Sequence, residues 1–220
     1  MDYEIMMNGN VKIGMYAPDF EAITTLGEIK LQDYRGKWVV LFSHPGDFTP
    51  VCTTEIIAFA KANKYFEEKN TQLIGLSVDS NPSHLAWLYD IYGKTGIKVP
   101  FPIIADRNGM ISRKYGMIAS DISSTETVRN VFIIDDMGKI RAIFVYPMNV
   151  GRFIPEILRI IEALQISDEE KVSTPANWIP GNPVIIPPPK TFPELEKRVE
   201  ETNGTSWYLN FKETNKKLEK

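Results

Sequence analysis

The sequence predicts an α/β sandwich with a mixed central sheet, and three observations support this fold class. Short apolar runs alternate with longer stretches of helical periodicity over residues 1–168, which is the pattern of strands and helices that pack in layers. Two apolar runs flank the hairpin turn Asp135-Asp136-Met137-Gly138, and the antiparallel pair that they form makes the sheet mixed. With 43% hydrophobic residues in 220 residues, the chain can bury a substantial core.

The first strand and helix that the pattern indicates surround the most reactive part of the chain. Residues 38–43 are β-branched and aromatic and end near Pro45, so they read as a buried strand. A helix with an apolar face follows to about Lys69. Pro50 suits its first turn, and Thr49 or Thr53 could cap it.

The remaining elements follow in regular alternation. Strands are expected at 73–78, 101–105, 131–134 and 142–145, and helices at 81–92, 111–115 and 153–164.

The composition changes after Gln165, where prolines become frequent and break regular structure. A charged helix is expected at 191–202, followed by an aromatic run at 207–211. This tail has too few apolar residues to fold alone, so we expect it to pack on the main domain or on another subunit. The predicted division is a main domain of residues 1–168 and a C-terminal extension of residues 169–220.

Charge and cysteine content exclude several function classes. The net charge of −3 is spread along the chain without the basic patch of a nucleic-acid-binding protein. One cysteine cannot form an intrachain disulfide and favours a reducing compartment. Residues 1–7 lack the charged and apolar regions of a secretory signal, and no stretch approaches the ~18 apolar residues of a membrane span. We therefore expect a cytoplasmic protein without a membrane span.

Cofactor chemistry is not indicated either. The chain contains neither of the common glycine-rich phosphate loops. The two histidines, His44 and His84, are forty residues apart, and with one cysteine they do not form a recognisable ligand set. The sequence therefore predicts no cofactor and no metal.

Cys52 stands where a loop turns into a helix. Helix N-termini present unpaired N–H groups and the positive end of the helix dipole, which favour a thiolate over a thiol. Thr49 lies three residues earlier, within reach of the sulfur or of an oxygen bound there. A thiolate with nearby donors is suited to attack an O–O bond. Because the chain has no second cysteine, an oxidised Cys52 must be reduced by a group outside it.

The run from His44 to Glu55 resembles the active-site motif of the peroxiredoxins, and its full length is similar to the one-Cys, peroxiredoxin 6-like subgroup. Other matching segments are Ala17-Pro18-Asp19-Phe20, Ser77-Val78-Asp79, Arg129, Gly151-Arg152, Glu156-Ile157-Leu158-Arg159, Thr174-Pro175-Ala176-Asn177-Trp178 and Gly181. The resemblance implies a thioredoxin-like fold with a C-terminal extension packed across a homodimer. It also implies a thiol-dependent peroxidase that reduces hydrogen peroxide and organic hydroperoxides in antioxidant defence and redox homeostasis. The expected reductant is an external thiol of the glutathione or thioredoxin type.

The resemblance assigns roles to individual residues. Cys52 matches the peroxidatic cysteine that becomes a sulfenic acid, and Thr49 matches the threonine that contacts peroxide. Pro45 matches the proline that shields the sulfur, and Arg129 matches the arginine that holds the thiolate. A surface ion pair of Arg129 with Glu126 is the ordinary alternative.

Four further residues have less specific expectations. Arg152 matches a second arginine near the pocket. His44 could bond near the sulfur or help to protonate the leaving group, or it could be a loop histidine bonded to the backbone. Glu55 could orient Arg129 or Arg152, or cap the helix, and capping is the ordinary reading. His84 is expected to be a surface or packing residue.

Two other functions are weighed against the peroxidase. A redox sensor or holdase would share the oxidation of Cys52 but would not turn over efficiently. A cysteine hydrolase would pair Cys52 with His44, but no third orienting group is evident and Arg129 would have no role. Residues 33–38 contain no serine, so the lipase-like Gly-x-Ser-x-Gly motif of mammalian members of the subgroup that the chain resembles is missing there.

Overall fold

The computed structural model describes residues 11–201 and 206–214 of the chain. The chain divides into two compact units, Met1–Ile154 and Pro155–Lys220. Among the described helices, none combines the length and apolar character needed to cross a membrane.

The first unit is built on a seven-stranded mixed sheet, as the alternating pattern predicts. Its strands are β1 (Glu21–Thr24), β2 (Gly27–Lys30), β3 (Trp38–Ser43), β4 (Thr71–Ser77), β5 (Ile103–Ala105), β6 (Arg129–Ile134) and β7 (Ile140–Tyr146). Its helices are α1 (Pro50–Glu68), α2 (Asn81–Thr95) and α3 (Met110–Lys114), and a short 3-10 helix spans Leu31–Tyr34.

The strand order is β2-β1-β5-β4-β3-β6-β7. Strands β3, β4 and β5 are parallel, while β1 and β6 pair antiparallel with β5 and β3. Each parallel pair is joined by a helix, and these helices, α1 and α2, pack on β4 and β5. This arrangement brings the C-terminal end of β3 and the start of α1 together with the start of β6.

Burial explains why the central strands could be predicted. All six residues of β3 and all six of β6 are buried, and residues 38–42 and 131–134 within them form continuous apolar runs. The hairpin between β6 and β7 turns at Gly138, whose φ of 81° is the left-handed conformation that favours glycine. Both the mixed sheet and this hairpin are confirmed.

The sequence pattern missed the hairpin of β1 and β2. These strands pair at the edge of the sheet over four residues each, and only Thr24 among the eight is buried. Because most of their side chains face solvent, they lack the apolar run or clean alternation that signals a strand.

The second unit contains the helices α4 (Ile154–Glu170, whose first residue belongs to the first unit) and α5 (Phe192–Glu201) and a two-stranded sheet of β8 (Val184–Ile186) and β9 (Asn210–Lys212). It has a small apolar cluster of its own, consisting of Ala163, Ile166, Val172, Trp178 and Val184. The aromatic run expected at 207–211 contributes its last two residues to β9. Of the helix expected at 191–202, the last residue lies outside the described ranges.

Candidate active site

Cys52 lies in the first turn of α1 and is fully buried. The helix begins at Pro50 with Thr49 in the N-cap position, where its backbone is extended. Pro50 has no N–H to satisfy and suits the first turn. The Thr49 side chain makes no capping bond and instead donates to the carbonyl of Gly46 at 2.9 Å. The sulfur is thus held near the positive end of a 19-residue helix.

Arg129, the first residue of β6, reaches the sulfur. Its Nη1 lies 3.3 Å from Cys52 Sγ and 2.6 Å from Glu55 Oε2. Its Nε and Nη2 both donate to the carbonyl of Met148, at 2.9 and 2.5 Å. Since Arg129 is only 2% exposed, the surface ion pair with Glu126 is wrong.

Glu55 joins Arg129 to a second buried arginine. Arg152 donates from its backbone N, Nε and Nη2 to the two Glu55 oxygens at 2.7–2.8 Å. Its Nη1 donates to the carbonyls of Ser43 and Asn130. The capping role is therefore wrong, because Glu55 accepts from both arginines. Arg152 contacts Glu55, the carboxylate that Arg129 also binds, rather than the sulfur.

This carboxylate is ionised by its neighbours. Burial favours the neutral acid, but the charges and hydrogen bonds of Arg152, followed by the charge of Arg129, hold the pKa of Glu55 below its ordinary value. A charged Glu55 offsets two buried guanidinium groups.

Acid should therefore weaken the fold through this cluster. A carboxyl whose pKa is lower in the folded protein stabilises it above its unfolded pKa, about 4.5 for Glu55, and loses that contribution as the pH falls toward the folded value. We expect the free energy of unfolding, measured with urea, to decline steadily below about pH 4.5. A free energy that stays constant down to pH 3 would contradict this electrostatic account.

The loop between β3 and α1 is tied to the segment that follows β4. Asp47 N–H donates to Asp79 Oδ2 at 2.9 Å, and Ser77 Oγ donates to the same oxygen at 2.9 Å. Phe48, next in the chain, has a φ of 56°, which is uncommon for a bulky residue and costs conformational energy. Pro45 and Thr49 are both half-buried at this edge of the site.

Asp47 also joins the two histidines. His44 Nε2 lies 3.1 Å from Asp47 Oδ1, and His84 Nδ1 lies 2.9 Å from both oxygens. Both rings are fully buried, so the surface alternative for His84 is wrong. The backbone-bonded alternative for His44 is also wrong, since its ring binds a carboxylate.

Sequence reasoning missed Asp47 and His84 as members of the site. Asp47 lies inside the matched run and could have been singled out as a polar residue beside His44. His84 gives no such signal, because only the pairing of β3, β4 and β5 brings the start of α2 to this loop. Within the described residues, His44, Asp47 and His84 each offer one possible metal-ligand atom. These three atoms all lie within 4.8 Å of one another, which is close enough to hold a metal ion. The distances from the carboxylate of Asp47 to the ring nitrogens of His44 and His84 are those of hydrogen bonds.

Comparison with known proteins decides the family. The model of the AhpC/TSA family matches residues 13–143, and the model of the C-terminal domain of 1-Cys peroxiredoxin matches residues 163–202. The chain belongs to the peroxiredoxin family. Peroxiredoxin 2 of Caldanaerobacter subterraneus subsp. tengcongensis is 61% identical over 204 residues, which cover 91% of this chain and 92% of that protein. A peroxiredoxin of Aquifex aeolicus is 51% identical over 210 residues, covering 90% of this chain and 95% of that protein.

Solved peroxiredoxin structures have the same fold. A yeast mitochondrial 1-Cys peroxiredoxin, studied for thiol resolution by glutathione and thioredoxin systems, superposes with a TM-score of 0.82 at 44% identity, covering 93% of this chain and 100% of that one. A mutant of peroxiredoxin 6 from Arenicola marina gives a TM-score of 0.78 at 38% identity, covering 86% and 89%. The thioredoxin-like fold with a C-terminal extension is thus confirmed.

Family and fold establish the activity. This peroxiredoxin is an oxidoreductase of the thiol-dependent peroxidase class. With one cysteine in its sequence, it depends on a thiol from outside the chain to complete a cycle.

Proposed function

We propose that Cys52 is the peroxidatic cysteine, acting on hydrogen peroxide and organic hydroperoxides in antioxidant defence and redox homeostasis. The observation that carries this proposal is the 3.3 Å contact between Arg129 Nη1 and the buried Sγ of Cys52. A guanidinium stays charged and offers several donors, so it can hold a thiolate and also the oxygens that approach it.

The proposed reaction is balanced in atoms and electrons, with the peroxide and external thiols as the reactants. The Cys52 thiolate attacks one peroxide oxygen, the S–O bond forms, and the O–O bond breaks. Sulfur is oxidised to the sulfenic state and the peroxide is reduced to water or an alcohol, after the departing oxygen takes the proton that the attacked oxygen lost. An external thiol then attacks the sulfenic sulfur: the S–S bond forms, the S–O bond breaks, and the oxygen leaves as water with the proton of that thiol and one from solvent. A second thiol attacks the mixed disulfide, which releases the Cys52 thiolate and forms the disulfide of the two external thiols.

The other site residues have supporting roles in this proposal. Thr49 and Arg129 bind the two peroxide oxygens, and Pro45 limits access of water to the sulfur. Glu55 and Arg152 hold Arg129 in place. His44 assists the proton transfer. Glutathione or a thioredoxin-type protein supplies the reducing thiol, and the cytoplasm supplies the reducing surroundings.

A homodimer is part of the same proposal, with residues 1–168 as the peroxidase domain and 169–220 as an extension across the interface. Trp207, Tyr208 and Phe211 in the tail are each 44–60% exposed in the single chain. Aromatic residues of this kind are enriched at the centres of interfaces. Sedimentation at micromolar concentration should give a mass near twice 25.0 kDa, and a monomer would contradict the dimer.

Turnover tests the catalytic proposal directly. We expect peroxide consumption to continue in the presence of glutathione with glutaredoxin, or of thioredoxin with its reductase, and to stop in Cys52→Ser. A sulfenic acid that dimedone traps once, without turnover under either reductant, would favour the redox sensor or holdase.

Thr49 gives a further prediction. Replacement by valine removes the hydroxyl that, in this proposal, bonds the peroxide oxygen on which charge develops. A hydrogen bond to a charged group is worth about 1.5–3 kcal/mol, so the rate of Cys52 oxidation should fall about 10- to 100-fold. Thr49→Ser should stay near the wild-type rate. Thr54→Val is the matched control, since Thr54 is exposed on the same helix and bonds only its own turn. Equal rates in the valine variant and the wild type would remove Thr49 from the reaction.

A further inference from the structure

The hydrogen bonds around Asp47 determine where the protons of this cluster lie. His84 Nδ1 faces the two carboxylate oxygens at 2.9 Å, and His84 Nε2 faces the carbonyl oxygen of Ile104 at 3.2 Å. A carbonyl and a carboxylate can only accept. Each ring nitrogen of His84 must therefore donate, which makes this buried ring the cation of the pair.

Asp47 is the matching anion. Its side chain is 2% exposed, and burial alone would favour the neutral acid. Hydrogen bonds from His44 and His84, and the charge of His84, hold its pKa well below the ordinary value. The proton between Asp47 and His84 therefore belongs to the imidazole.

His44 completes the chain of bonds with one nitrogen left over. Its Nε2 donates to Asp47 Oδ1, so the neutral ring carries its lone pair on Nδ1. Burial lowers the pKa of His44, the nearby charges of His84 and Arg152 lower it further, and only Asp47 raises it. Nδ1 is buried and has no hydrogen-bond partner among the described residues. An acceptor placed in this way needs an explanation.

The cluster is tied to the first turn of α1. The Trp87 ring lies 5.2 Å from the His44 ring, and Trp87 Nε1 donates to Thr53, the residue after Cys52. The backbone of His44 is fixed on both sides, since its N–H donates to Leu76 and its carbonyl accepts from Thr127. The ring itself is held by its hydrogen bond to Asp47 and by packing against Trp87.

We propose that His84 is a positioning residue that acts through Asp47 to keep His44 neutral, with its proton on Nε2 and its lone pair on Nδ1. This inference rests on the proposed function, in which His44 assists proton transfer. Nδ1 takes the proton of the attacked peroxide oxygen as the S–O bond forms, and returns it to the oxygen that leaves as the O–O bond breaks. His44 ends the step neutral, so it is ready for the next cycle.

Imidazole ¹⁵N–¹H spectra of the reduced wild-type protein at pH 7 test the assignment. The sequence has two histidines, and His84→Gln identifies which signals belong to which ring. We expect His84 with both nitrogens protonated and His44 neutral with its proton on Nε2. A neutral His84, a His44 proton on Nδ1, or a bound divalent metal in place of the ring protons would overturn the inference.

Variants separate a positioning role from a structural one. His84→Gln leaves the Asp47 charge without its cation, so the pKa of His44 should rise and Cys52 oxidation at pH 6.5 should slow about three- to tenfold. The rate should recover near pH 8.5. Adding Asp47→Asn removes the charge and should restore the weaker pH dependence. A loss in His84→Gln that is the same at every pH would contradict the proposal.

The two hypotheses fail in different ways. Slow oxidation of wild-type Cys52 would contradict the proposed function whatever the rings show. Fast oxidation with the wrong ring protons would contradict only the positioning role of His84.

Discussion

Arg129→Ala should slow the reaction of Cys52 with hydrogen peroxide by about 10²- to 10³-fold, the usual effect of removing one donor that stabilises developing charge. In the proposed mechanism the guanidinium, whose Nη1 lies 3.3 Å from Cys52 Sγ, holds the thiolate and offers donors to the peroxide. The variant should remain folded, because Glu55 keeps its three bonds to Arg152. Stopped-flow oxidation at pH 7, with circular dichroism as the folding check, measures the effect.

Two further variants help to interpret the rate measured for Arg129→Ala. Arg129→Lys keeps a positive charge but cannot reach the sulfur, Glu55 and Met148 at once, so it should recover only part of the rate. Arg141→Ala is the matched control from the neighbouring strand β7, where Arg141 pairs with Asp135, and should oxidise at the wild-type rate. A fast Arg129→Ala variant would mean that the Arg129 contact with sulfur is structural.

Glu55→Gln should lower the free energy of unfolding by about 3–5 kcal/mol, the cost of leaving buried charge without its partner. Glu55 is 3% exposed and is the carboxylate shared by Arg129 and Arg152. Neutralising it leaves two buried guanidinium groups without the carboxylate that offsets their charge. Urea unfolding at pH 7 measures the loss.

Glu68→Gln is the control for this change. Glu68 lies on the same helix, is half-exposed, and pairs with Lys64 at 3.8 Å. Exposed pairs contribute about 0–1 kcal/mol, so the control should unfold close to the wild type. If Glu55→Gln unfolds like Glu68→Gln, then the arginines do not depend on this carboxylate.

Much of the fold could be predicted because central strands such as β3 and β6 are buried along their whole length. Each of the two therefore contains a continuous apolar run, at 38–42 and 131–134, that can be recognised without knowing its neighbours. The edge strands β1 and β2 could not be predicted in the same way. Their stability comes from pairing with β5 and with each other, which local composition does not record.

The site residues also divide into those that the local sequence predicts and those that only the fold brings together. Cys52, Thr49 and Pro45 lie within one short run, and the helix that follows fixes their relation. Arg129 and Arg152 could be named only through the family resemblance, because the fold brings Arg129 to Cys52 across 77 residues and Arg152 to Glu55 across 97 residues. Neither the local sequence nor the family resemblance could assign a role to His84, since its proposed role depends on a hydrogen bond to Asp47 rather than on residue type.

Mixing the reduced protein with one equivalent of hydrogen peroxide tests the central claim most directly. Stopped-flow gives the rate, and intact mass gives the product, with Cys52→Ser as the blank. We expect rapid, stoichiometric gain of one oxygen at Cys52 and none in the serine variant. A rate no greater than that of free cysteine at the same pH would contradict the activation of Cys52 by Arg129 and the helix terminus.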